Sequence, residues 1–336
     1  MKEIMEHPFA KSTPMAERCR RLLTAVGPED TLAIVINADP DAMASALALK
    51  RLFWRRVAKA TIYHTNVIKR ADNLALIKLL KMDQTHIRNL KRDTISKFAI
   101  VDSQPHHDAV FERIPFDIII DHHPPGPDSK GFLVDVREEY GANSTIMTEY
   151  LRAARIKPSP RLATALFYGI KTDTDNFARD SQVSDIEAFR YLYRFANLNV
   201  IKKIEFSEMT HNTLASYRDA MDRLTFAKGT VFVHMGEVSS TDTLVMIADF
   251  FMKLAEAGWS VVSGINGGKL IVIYRNAELR GDAGRKAKLM FDRFGASAGG
   301  HKSAARAEVP MDEIAAELKG YADPGKFVMK LFRETK

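Results

Sequence analysis

Apolar runs that end in carboxylates recur along this chain and set its outline. Thr31–Asn37 (TLAIVIN) is continuously apolar and β-branched, the pattern of a strand buried on both faces. It opens onto Asp39-Pro40-Asp41, and the AMASALALKRLF that follows has the composition of a helix. Ala60–Thr65 predicts a second strand, on which His64 is read as structural, and Asn73–Lys81 a helix. Phe98–Gln104 (FAIVDSQ) predicts a buried strand delivering Asp102 at its end. Phe116–Gly126 (FDIIIDHHPPG) predicts another, which finishes in Asp121, His122 and His123 before two prolines stop it. Phe132–Val136 is a further short strand.

Helical patterning frames these strands. An amphipathic helix is expected over about Met15–Ala25, one from Gly141–Thr145 to about Ala154, and one over Pro160–Ile170; Gly169–Phe177 then places Asp173 and Asp175 in a turn. Val183–Leu224 is helical and polar. Strand patterns resume at Gly229–Met235, Trp259–Ile265 and Lys269–Arg275, with helices over Asp242–Ala257 and near Gly284–Phe294. The alternation predicts an α/β protein: a mostly parallel-sheet N-terminal domain over 1–195, a helical linker over 196–226 and a smaller α/β C-terminal substrate domain over 227–336.

Composition narrows the picture. The single cysteine, Cys19, excludes an intrachain disulfide and a cysteine-based zinc cluster, fits a reducing cytoplasm, and is expected as a buried structural thiol. The first residues lack a signal peptide's apolar core, and no run of ~18 apolar residues predicts a membrane span. The net charge of +7 permits anionic partners without naming one. The basic residues on predicted helices (Arg18, Arg20, Arg21, Arg51, Arg55, Arg56) read as solvated faces.

Chemistry collects at the element ends: Asp39, Asp41, Asp102, Asp121, His122, His123 and Asp173. Brought together, such carboxylates raise one another's pKa unless a cation neutralises them, and only Lys171 lies nearby in sequence. Oxygen-rich donors with imidazole suit Mn²⁺ or a similar divalent ion. Plainer roles stand beside this one: Asp41 as a helix cap, and the small and hydroxyl residues of 141–145 as a capping segment instead of an anion cradle.

These stretches, DPDAMASALAL, IVDS, DHH, ANST and GIKTDTDNF in that order, resemble the motifs of the DHH phosphoesterase superfamily. AGGHKSAAR, with Tyr274-Arg275 before it, resembles the DHH-associated C-terminal domain. The set is similar to the nanoRNase and 3′-phosphoadenosine 5′-phosphate phosphatase branch, over about Thr31 to Pro310. The resemblance implies that Asp102 bridges two metals, that Asp41, His122 and Asp173 complete one site with it, and that Asp39 belongs to the second. It implies Mn²⁺, or alternatively Mg²⁺ or another divalent ion, one or two per chain. His123 would face the scissile phosphate with Asp121 orienting the histidines, while Ser144, Arg275, Gly299, Gly300 and His301 would bind substrate.

The sequence departs from this family in two places. The histidine expected four residues before Asp39 is Val35, which leaves the second metal site short of a donor that His106 or His107 could supply. Arg306 replaces a glycine, and Ala296-Ser297-Ala298 replaces part of a glycine run. The function implied is metal-dependent hydrolysis of short oligonucleotides or nucleotide phosphates in the cytoplasm, not of long duplexes, by a possible homodimer. Aromatic residues in the second domain (Phe232, Tyr274, Phe291, Phe294), most of them expected in the core, would mildly favour a substrate with a base. The alternatives are an inorganic polyphosphate or pyrophosphate hydrolase, and a nucleotide-binding sensor without full activity.

Overall fold

A computed structural model describes residues 13–126, 129–178, 181–207, 211–321 and 323–335. The chain divides into two compact units, Met1–Glu208 and Met209–Lys336.

The first unit is built on β1 (Thr31–Ile36), β2 (Lys59–His64), β3 (Thr85–His86), β4 (Lys97–Val101), β5 (Ile118–Asp121) and β6 (Leu133–Val136). They form one parallel sheet in the order β3-β2-β1-β4-β5-β6. The order reverses between β1 and β4. In open α/β sheets a crevice opens at that point, outside the carboxyl ends of the strands. The carboxylates that end β1 and β4 are therefore delivered to one place by topology.

Both faces of this sheet are covered, which is why its strands read as continuous apolar runs. Leu32, Ile34 and Ile36 point to one face, against α1 (Met15–Thr24), α2 (Pro40–Leu52), α3 (Ala71–Leu79), α4 (Asn143–Ala153) and α5 (Pro160–Asp173). Ala33 and Val35 point to the other, with Phe98, Ile100, Phe111, Phe116 and Ile119. Helices α6 (Val183–Tyr193) and α7 (Leu198–Glu205) add Leu192, Ile201 and Ile204 to the first core. The stretch expected to be a linker is thus shared out, because α8 (His211–Asp222) instead gives Ala220 to a core of the second unit.

The second unit contains β7 (Thr225–Ala227), β8 (Thr230–Glu237), α9 (Thr241–Phe251), β9 (Trp259–Asn266), β10 (Lys269–Asn276), α10 (Ala283–Phe291), β11 (Ser297–Gly300), β12 (Ala304–Pro310), α11 (Met311–Leu318) and α12 (Pro324–Glu334). Its sheet runs β11-β12-β10-β9-β8-β7, antiparallel except where β8 meets β9. Alternation along β10 sends Val272 and Tyr274 to one core and Ile271 and Ile273 to the other. Among the described residues no helix is long and apolar enough to cross a membrane.

A buried ionic network ties α1, β6 and α4 together. Asp135, 1% exposed, accepts from Arg18, from Arg137 at 3.0 and 2.8 Å and from the Tyr150 hydroxyl at 2.6 Å. Arg137 also donates to Glu149 at 2.6 Å. Removing the carboxylate would strand two guanidinium groups in the interior, at a cost of about 3–5 kcal/mol. We expect Asp135→Ala to shift the urea midpoint down by that equivalent; an unchanged midpoint would show that the network adds nothing.

Candidate metal centre

Asp39 ends the turn after β1 and caps α2, its Oδ1 accepting from Ala42 N at 2.8 Å, and Pro40 opens the helix where a missing N–H costs nothing. Asp41, in the first turn of α2, is 1% exposed. Its two oxygens accept from the backbone N–H groups of Asn143 (2.6 Å) and Ser144 (2.8 Å), at the start of α4. The anion held by this helix N-terminus is thus a side chain of the protein itself. Ser144, expected to touch substrate, is fully buried and fixes Asp41 through its N–H instead. Gly169 on α5 permits this packing, since a Cβ there would lie 2.5 Å from Ser144 Oγ and 3.1 Å from Asp41 Cα.

Asp102 follows β4 in the left-handed region (φ 60) and is 8% exposed. A non-glycine residue held there carries strain of a kind concentrated at functional sites. From β5, His122 Nδ1 donates to the Tyr140 carbonyl at 3.0 Å, which leaves Nε2 without a proton in the neutral ring. That nitrogen lies 3.3 Å from Asp102 Oδ1 and 3.1 Å from Asp173 Oδ2, and with the ring neutral neither Nε2 nor Asp102 Oδ1, both buried, has a hydrogen-bond donor facing it among the described residues. Asp173 is the last residue of α5, which runs past the expected end at Ile170, and Asp175, Asn176 and Phe177 after it are all left-handed.

With the His122 ring neutral, acceptors face acceptors in this buried crevice, an arrangement that calls for positive charge, from a proton or a cation. Burial, reinforced by Asp173, pushes Asp41 up to about 7. Burial and the charges of Asp41 and Asp39 raise Asp102 well above the usual carboxylate range. Burial alone would lower His122, but the carboxylates of Asp102 and Asp173 outweigh it and hold the imidazole up to about 12. A divalent ion fits this donor set. One donor atom each from Asp41, His122 and Asp173 lies within 4.8 Å of the others, and the same holds for Asp102, His122 and His123. The buried Asn143 amide beside them has no hydrogen-bond partner among the described residues either.

Asp121, fully buried, is spent differently. Its oxygens accept from His123 Nδ1 (2.8 Å) and Gln104 Nε2 (2.7 Å); burial alone would raise its pKa, but the bond and charge of His123 together with the Gln104 bond outweigh it and lower it. His123 is half-exposed. Gln104 is the residue that sequence reasoning passed over: its amide also donates to the carbonyls of His123 and Pro124 and accepts from Gly126 N and Ser129 Oγ, pinning the loop after β5. His107, Asp121 and His123 also converge. That triple makes a poor metal site, because His107 Nδ1 accepts from Gln104 N, which puts the neutral ring's proton on Nε2 and leaves no nitrogen lone pair for a metal. His106 packs its ring over Gly126.

Val35 is fully buried in the apolar layer with Phe98 and Ile100, so no donor reaches the crevice from that position. Asp39 accordingly belongs to none of the three-donor groups among the described residues.

The second unit places the remaining expected residues in unequal settings. Arg275 Nε donates to Asp249 at 2.6 Å. His301 is exposed in the turn between β11 and β12. Gly300 (φ 149) is required by packing, since a Cβ would meet Ala304 O at 2.3 Å, whereas Gly299 has room. Arg306 pairs with Glu308 at 2.7 Å. Phe232, Tyr274, Phe291 and Phe294 are all core residues at 6% exposure or less, so none is free to stack on a base.

A parallel α/β unit with a carboxylate–imidazole centre at its topological switch point is the class that fold and site define. Residues 31–170 match the DHH family, N-terminal domain, and this stretch of the chain is a DHH-family domain. An uncharacterised protein of Methanocaldococcus jannaschii, MJ1633, is 35% identical over 277 residues, which is 82% of this chain; the chain spans only 57% of that relative's length. An exopolyphosphatase-related protein from Bacteroides fragilis has a similar fold (TM-score 0.70, 13% identity, 95% of this chain and 100% of that one). RecJ from Thermus thermophilus, in complex with Mn²⁺, is less similar (TM-score 0.50, 12% identity, 95% of this chain and 56% of that one).

The raised carboxylates predict a pH signature. Asp41 and Asp102 bind their protons more tightly folded than unfolded, so the metal-free protein loses stability as pH rises from about 4, the unfolded value, through about 7, the folded value of Asp41. We expect a lower thermal midpoint at pH 8 than at pH 5, and a larger rise with Mn²⁺ at pH 8. A midpoint indifferent to both would contradict this assignment.

Proposed function

We propose that the chain is a divalent-metal-dependent phosphoesterase that hydrolyses short nucleotides: dinucleotides and other very short RNA, linear products of cyclic dinucleotides, or 3′-phosphoadenosine 5′-phosphate. The observation that carries the reading is the buried His122 Nε2, set 3.3 Å from the Asp102 carboxylate and 3.1 Å from the Asp173 carboxylate. Asp41, Asp102, His122 and Asp173 would hold the metal, with Asp39 at a weaker second position. The bound cation supplies Lewis acidity, lowering the pKa of a water and offsetting phosphoryl charge. Mn²⁺ is the first candidate and Mg²⁺ the second, on the donor chemistry and on the ion in the RecJ structure.

The chain's own groups supply the rest. The α4 N–H groups keep Asp41 fixed; Asp121 holds His123 by Nδ1 and leaves Nε2 free to meet a phosphoryl or leaving-group oxygen. In the second unit His301 and Arg275 are offered as phosphate contacts, with Gly299 and Gly300 beside them. Phosphate would have to displace Asp249 from Arg275, a modest demand because that carboxylate is 55% exposed.

A second reading, hydrolysis of an inorganic polyphosphate or pyrophosphate, gains from one observation. The aromatics that would favour a base-bearing substrate are buried in the core.

The test is turnover of a 5′-labelled dinucleotide beside 3′-phosphoadenosine 5′-phosphate, pyrophosphate and polyphosphate, with Mn²⁺ titrated and Asp102→Ala as the blank. Dinucleotide or phosphoadenosine turnover that falls roughly 10²–10³-fold in the variant supports the proposal. Turnover of the inorganic chains alone selects the second reading, and nucleotide binding without any turnover leaves a sensor. Gln104→Leu should lower the rate roughly 10–100-fold, as removal of an outer-shell partner does. A wild-type rate in that variant would deny Gln104 its positioning role.

A further inference from the structure

The carboxyl end of α2 carries a surface that the metal centre does not use. Trp54, just past the helix, is 60% exposed, although burial of so large a ring is favourable. The guanidinium groups of Arg51 and Arg55 lie 5.0 and 4.9 Å from its ring centroid. Lys50, Lys81 and Arg161 line a cavity of about 350 Å³ with it, and Asp83 is the lone carboxylate in that lining. None of these five cations forms an ion pair among the described residues; Arg161 donates to the Lys81 carbonyl at 2.7 Å. Arg55 (φ 62) and Lys81 (φ 48) stand on left-handed backbone at either side. Helix α2 spans 13 residues, so the patch lies about 20 Å along it from Asp41.

We propose that this patch is a docking site for single-stranded nucleic acid, apart from the metal centre. Uncompensated cations track a phosphate backbone, and an exposed indole flanked by guanidinium groups is a platform on which a base can stack. A duplex presents no free base face to Trp54, and an inorganic polyanion would engage the cations and leave the ring idle. Part of the net charge of +7 read as solvated helix faces then has a specific partner.

Trp54 is one of two tryptophans and the other, Trp259, is 6% exposed, so a Trp259→Phe variant reports on Trp54 alone. That variant is titrated with 12-nucleotide single-stranded RNA and DNA in chelator, where no turnover occurs and the outcome is independent of the hydrolytic proposal. We expect quenching on binding and an affinity that drops steeply as salt is raised. By anisotropy of a labelled strand, Trp54→Ala should bind roughly tenfold or more weakly, Trp54→Phe should recover most of the loss, and Arg51→Ala should flatten the salt dependence. Absence of binding, unchanged affinity in Trp54→Ala, equal binding of polyphosphate, or quenching that follows protein concentration alone (association between copies) would each overturn the proposal.

Discussion

The arrangement depends on one electrostatic constraint: buried carboxylates converge where the parallel sheet reverses its order, and among the described residues they face one imidazole, His122, and no lysine or arginine ion pair. Asp41 comes from the first turn of the helix that follows β1, Asp102 from the end of the neighbouring strand β4, and Asp173 from the end of a helix packed on α2. Repulsion in such a place has two remedies, protons or a cation. The raised pKa values of Asp41, Asp102 and His122 express the first, and the donor geometry is ready for the second.

Much of the scaffold exists to hold that convergence. Small residues along α2 and Gly169 on α5 let the helices close on Asp41, and the N-terminus of α4 turns two backbone N–H groups onto it. Gln104 does the equivalent for the loop carrying His122 and His123, bridging Asp121 to Gly126. These buried bonds operate where the dielectric is low, so they orient the donors more firmly than solvated bonds would.

The strands and their carboxylate ends were legible because a strand covered on both faces needs a long apolar run, and a charge terminating it stands out. Asp39, Asp41, Asp102, Asp121, His122, His123 and Asp173 could be picked out for that reason. The role of Ser144 could not, because a serine at a helix start looks the same whether its hydroxyl or its N–H is used. Gln104 looked like one more polar residue after a strand, and only the fold shows its amide fully buried. The second-unit aromatics were expected mostly in the core, and Tyr274 and Phe291 face it by strand and helix period, so their weak weight toward a base-bearing substrate falls away. Arg51 and Arg55 were assigned to a solvated face, and their closeness to an exposed Trp54 depends on a left-handed turn that no local pattern announces.

The central claim is that this crevice is a cation site built on His122. Calorimetric titration of the metal-free protein with Mn²⁺, in two buffers of different ionisation heat, tests it most directly. The account predicts saturable binding with proton release near neutral pH, abolished in His122→Ala while the variant stays folded by circular dichroism. Binding of equal affinity in that variant, or none in the parent protein, would contradict it.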